Sequence, residues 1–190
     1  MRKECFKVCL LIGFFLQATI PATAQEVVHA LCGTVHSINS TAQTITVDTD
    51  DGSKGLFKDL TSSSVSLDFD KRIRADATVA AAFTKDGVRA IVYYFGDSDV
   101  RTAVALQNLG TGPFEKSSGT VVRFRRNEHV LTLKRNSGDV ESFQISPKTV
   151  AETALGAVTG YELDFHDGDQ VRVTAAPANG GKKALFIHAM

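Results

Sequence analysis

Five basic side chains fall between positions 123 and 135: Arg123, Arg125, Arg126, Lys134 and Arg135. Guanidinium groups grip phosphate and carboxylate through paired N–H bonds, so this stretch is the candidate contact for an anionic ligand. Arg123 and Arg125 are two apart, which on a strand puts both on one face and Phe124 on the other, toward a core. The five histidines, His29, His36, His129, His166 and His188, show neither an H-x-x-x-H nor an HExxH spacing, and there is no CxxC. They read as solvent-facing strand histidines and not as a zinc or copper set. Asp48-Thr49-Asp50-Asp51-Gly52 has the acids of a calcium loop, but counting from Asp48 puts Gly52 at the fifth place where an EF-hand needs it at the sixth. It reads as a hairpin turn, and His166-Asp167-Gly168-Asp169 reads as a turn before a strand. A Gly-x-Ser-x-Gly elbow, a Walker loop and a GxGxxG are all lacking. The sequence therefore assigns no catalytic residue, no metal ligand and no cofactor.

Charge over the whole chain is balanced, with 21 Lys and Arg against 21 Asp and Glu in 190 residues. That excludes a globally basic nucleic-acid binder and an acidic solvating tail. Hydrophobic residues at 43% and charged residues at 22% are globular values. The first 24 residues read as a cleaved signal peptide. Arg2, Lys3 and Lys7 precede the apolar run VCLLIGFFL at 8–16, Pro21 breaks it, and Ala22-Thr23-Ala24 is a small-x-small cleavage site. The run is too short to span a bilayer, and the remaining chain offers no transmembrane segment. The expected location is the periplasm or the extracellular medium. Removing the leader takes Cys5 and Cys9, so the mature chain keeps only Cys32, read as a buried, inert thiol in a strand.

The elements that must carry these residues repeat. At an offset of 86, Gly33-Thr34-Val35 matches Gly119-Thr120-Val121, Thr46 matches Thr132, Gly52 matches Gly138 and Phe57 matches Phe143. Self-similarity at a fixed period marks repeated units. Further on, an offset of 94 aligns Gly87 with Gly181 and Ile91-Val92-Tyr93 with Leu185-Phe186-Ile187. Each unit alternates like short strands at Thr44-Ile45-Thr46-Val47 and Val130-Leu131-Thr132-Leu133, with turns at Asp51-Gly52 and Ser137-Gly138. The stretch 102–109 is read as a strand and 151–158 as a single helical turn broken by Gly156. Gly110-Thr111-Gly112-Pro113 is a linker. The expected organisation is a signal peptide over 1–24, a first β-barrel module over 25–110 and a second over 111–190. The expected cores are Val35, Ile45, Val47, Phe57 and Ile91 in the first, and Val121, Leu131, Leu133, Phe143 and Leu185 in the second.

Gly33-x-Val35, the Ile45-Thr46-Val47 strand, the turn Gly52 and Phe57 resemble the tandem small OB-like β-barrel modules of bacterial secreted proteins, a family catalogued as a domain of unknown function. Gly168-Asp169-Gln170-Val171-Arg172-Val173 is similar to that family's strand entry, whereas Asp76-Ala77-Thr78-Val79 in the first copy lacks its glycine. The resemblance implies an all-β fold of two tandem OB-like barrels and export, and it carries over no catalytic residue. A methionine-rich copper barrel is excluded on composition, because Met1 lies in the leader, Met190 is the last residue and Trp is absent.

The expected function is a non-catalytic binding or interaction module of the cell envelope, its partner an anionic envelope polymer or another envelope protein and not a nucleic acid. Two alternatives stand beside it. One is an envelope-polymer hydrolase with its site between the two modules, which a cleft holding two acidic residues would favour. The other is a metal-handling periplasmic protein.

Overall fold

The computed structural model describes residues 27–59, 87–160 and 162–190. The signal-peptide reading falls outside the described residues, as does the strand entry without its glycine at Asp76-Ala77-Thr78-Val79.

The described residues of the first unit form five strands: β1 (His29–Asn39), β2 (Thr44–Thr49), β3 (Lys54–Asp59), β4 (Arg89–Phe95) and β5 (Val100–Gly110). They close into a barrel in the order β1-β2-β3-β5-β4, with β4 returning to β1. All pairs are antiparallel except β3–β5. The second unit contains β6 (Glu115–Arg125), β7 (Val130–Arg135), β8 (Val140–Gln144), β9 (Val150–Thr153), β10 (Gly156–Thr159), β11 (Gln170–Ala178) and β12 (Gly181–Ala189). Its strands β6-β7-β8-β12-β11 repeat the same circuit, again with one parallel pair, β8–β12, and with β9 and β10 added beside β12. Among the described residues the chain is thus all-β but for one short 3-10 turn, in two OB-like barrels of one topology.

The repeated residues have the same work in both barrels. A Cβ on Gly33 would strike the Asp48 carbonyl oxygen, and one on Gly119 would strike that of Lys134. Only glycine lets the neighbouring strand come so close. Two residues on, β1 bulges between Val35 and Ser37 and β6 between Val121 and Arg123, which bends each sheet toward closure. Inside, Val35, Ile45, Val47 and Phe57 are buried in the first barrel, and Val121, Leu131, Leu133 and Phe143 in the second.

Four expectations are corrected. Strand β4 is equivalent to β11, not β12: Gly33 pairs with Ala90 as Gly119 pairs with Val171, and Val92 with Leu106 as Val173 with Ile187. The offset of 94 matched two glycine-led apolar strands that occupy different places in the circuit. Residues 151–158 form the β9–β10 hairpin and no helical turn. Leu185 is only half-buried, because Thr174 pairs with Phe186 and Ala175 with Ala184, leaving Leu185 as the extra residue of a bulge. Ile91 is buried, but on the outer face of its barrel, where it packs with Ala30, Cys32, Tyr93, Val150 and Phe186. That cluster draws from both units and is the junction between them.

Candidate functional site

The basic hairpin is β6–β7. Thr132 lies opposite Arg123 and Thr120 opposite Lys134, so Arg123 and Lys134 are diagonal neighbours. Both side chains are exposed, while Phe124 packs on the core, edge-on to Phe165 at 5.9 Å between ring centroids. Arg126 lies just beyond β6 in a short 3-10 turn (Arg126–Glu128). Three of the five cations have acidic partners: Arg125 with Glu128 at 2.5 Å, Arg126 with Asp164 at 3.4 Å and Arg135 with Glu141 at 3.8 Å. Arg126 also donates to the Leu163 carbonyl at 2.8 Å. Arg123 and Lys134 have no ion-pair partner among the described residues. The stretch is therefore one hairpin, as expected, with its charge partly compensated.

A second cluster, which sequence reasoning passed over, lies at the junction. Arg89 on β4 donates through Nη2 to Asp50 Oδ2, and both side chains are only 9% exposed. Thr174 of the second barrel donates to the same oxygen at 2.7 Å, and Lys116 reaches Asp50 Oδ1 at 2.8 Å. Burial pushes the Asp50 carboxyl up, but the bonds from Lys116, Arg89 and Thr174 outweigh it and hold it below its ordinary value. The Cys32 thiol beside this network is buried and pushed up to about 12 by desolvation, so it stays protonated. Across the junction, His29 Nδ1 sits 2.6 Å from Glu152 Oε1, and the Ala30 amide donates to Glu152 Oε2 at 2.7 Å. Desolvation keeps the Glu152 carboxyl above its ordinary value.

Between these contacts opens a cleft of about 210 Å³. The first barrel lines it with Tyr94, Arg101, Asp51 and Ser53, the second with Arg172, His188 and Glu152. Asp51 is drawn down to about 2 by hydrogen bonds from Thr49 and Ser53. Of the histidines, His29 and His188 belong to this junction, whereas His36 pairs with Asp48 at 3.0 Å in the first barrel. His129 is the left-handed cap of the 3-10 turn. Among the described residues no three His, Cys, Asp or Glu side chains gather around one possible metal position, and no helix is long and apolar enough to cross a membrane.

The cleft residues stand at scattered positions in unrelated strands, so no spacing announces them. One signal was legible: Arg89 is a lone cation in the apolar run 88–95, and a charge there must find a buried partner. Comparison with known proteins found no family model and no curated sequence that matches this chain.

Proposed function

We propose that the chain is an exported, non-catalytic binding module of the cell envelope that holds an anionic polymer on the β6–β7 hairpin. The observation that carries this reading is the pair Arg123 and Lys134. They are diagonal neighbours on the outward face of one hairpin, roughly 7–8 Å apart, and neither has an acidic partner among the described residues. That separation is about one Debye length at physiological salt, so a polyanion meets them together. Arg125, Arg126 and Arg135 extend the patch. Their acidic partners are mostly exposed, where such pairs are weak and a ligand phosphate or carboxylate can replace them.

The test is retention of the protein on immobilised heparin as salt is raised. Wild type is expected to elute at higher salt than a variant carrying Arg123→Ser, Arg125→Ser and Arg126→Ser. Equal elution of the two proteins, or no retention at low salt, overturns the reading.

One observation favours a hydrolase as the second reading: the junction cleft holds two carboxyls, Asp51 and Glu152, whose environments push them in opposite directions. It is the weaker reading, because both are already engaged. Asp51 Oδ1 takes bonds from the Thr49 hydroxyl and the Ser53 amide, and both oxygens of Glu152 are held by His29 and Ala30. Release of reducing sugar from an envelope polysaccharide, lost in Glu152→Gln, would establish it.

A further inference from the structure

In the junction cleft the acids are engaged and two of the cations are left over. Asp50 is bound by Arg89, Lys116 and Thr174, Glu152 by His29 and the Ala30 amide, and Asp51 by Thr49 and Ser53. Arg101 and Arg172, both half-buried and both lining the cleft, form no ion pair among the described residues. Asp51 feels the Arg172 charge through space without pairing with it.

Their placement comes from the strands. Arg172 on β11 is directly opposite His188 on β12, and His188 is opposite Glu152 on β9. Cross-strand neighbours of this kind lie within contact range, so the second barrel presents arginine and histidine side by side. On the first barrel, the Arg101 guanidinium rests over the Tyr94 ring at 5.0 Å and the Phe57 ring at 6.0 Å. A guanidinium in cation–π contact still has N–H donors, and an oxyanion can take two of them. The lining also includes the apolar Ala30, Cys32 and Phe186.

We propose that this cleft is a second binding site, for a compact organic acid about the size of one sugar ring, with its carboxylate or phosphate held between Arg101 and Arg172 beside His188. The volume of about 210 Å³ equals about seven waters' share of liquid, enough for one ring and its acid group. A half-buried cation without a counter-ion is costly, and a bound oxyanion removes that cost for two of them at once. The proposal rests on the reading of the chain as a binding module but on none of the hairpin residues.

The test uses the full chain and tyrosine emission. The protein has no Trp and three Tyr, so no tryptophan emission masks a change at Tyr94. Glucuronate, glucose 6-phosphate and glucose are titrated in turn. The expected result is a saturable change in the millimolar range or tighter with at least one of the two acids and none with glucose. Saturation by glucuronate alone identifies a carboxylate site, and by glucose 6-phosphate alone a phosphate site. Arg101→Gln and Arg172→Gln are each expected to weaken binding at least tenfold, while the triple hairpin variant leaves it unchanged. No saturation with either acid, an equal response to glucose, or unchanged affinity in both arginine variants overturns the proposal. Should those variants fail to fold, the His188 imidazole resonances of wild type decide, since they must move with the bound acid and stay fixed with glucose. Heparin retention is scored separately, so loss of one activity with survival of the other tells which site has failed.

Discussion

Arg89 breaks an apolar run, and its guanidinium finds Asp50 where both side chains are 9% exposed. Two charges out of water are tolerable only together, and removing Arg89 leaves the Asp50 carboxylate only Lys116 and Thr174. Arg89→Met is expected to lower unfolding stability by about 3–5 kcal/mol, and adding Asp50→Asn is expected to recover part of that loss in chemical denaturation. A full additive loss would mean that the two side chains do not depend on each other. The acids here also set the pH response. Asp50 and Asp51 both lie below the ordinary carboxyl value of 3.8, Asp51 at about 2. A depressed carboxyl contributes stability that is complete above the unfolded value and is lost as pH falls through the folded one. The urea midpoint is therefore expected to drop between about pH 4 and pH 2, and to drop less in Asp51→Asn. At this scale the sequence was only partly legible. The basic residues of the hairpin are neighbours in the chain, so their clustering could be read directly. Arg101, Arg172, His188 and Glu152 meet only because strands of two barrels bring them together.

Among the elements, strand legibility followed exposure. In β2 and β7 one face is buried and the other is not, so Ile45, Val47, Leu131 and Leu133 alternate with threonines, and the inward face can be read. In β4, residues 89–93 are buried on both faces, one side in the barrel core and the other in the junction. Such a strand has no alternation, so its pattern does not tell which side Ile91 faces. Leu185 is hidden for a different reason, since a bulge shifts the phase of β12 by one residue and a period of two does not reveal it. Strand β7 offers the direct check. Leu131 is fully buried, whereas Thr132 faces outward and shares a 3.1 Å hydrogen bond with Ser142. Leu131→Ala is expected to cost about 2–5 kcal/mol in chemical denaturation, and Thr132→Ala well under half of that. Equal costs would reverse the inward face of the strand.

For the whole molecule, the repeat made two barrels of one kind foreseeable, but their association was not. Nothing in a repeated unit says which outer face it turns to its copy. The junction joins them by apolar packing of Ala30, Cys32, Ile91, Tyr93, Val150 and Phe186, by the Asp50–Arg89–Thr174 bonds, and by the Ala157 amide donating to the Val28 carbonyl at 2.8 Å. Barrels of this size are marginal alone, and a buried shared face couples their unfolding. Both proposed sites depend on this: the cleft exists only while the barrels are joined, and the hairpin is presented by the barrel that the junction supports. The central claim is thus that the two repeated barrels form one cooperative body. Scanning calorimetry of the intact chain tests it most directly. One transition whose calorimetric and van't Hoff enthalpies agree is the predicted result. Two separable transitions in the wild-type protein, one per barrel, would contradict it.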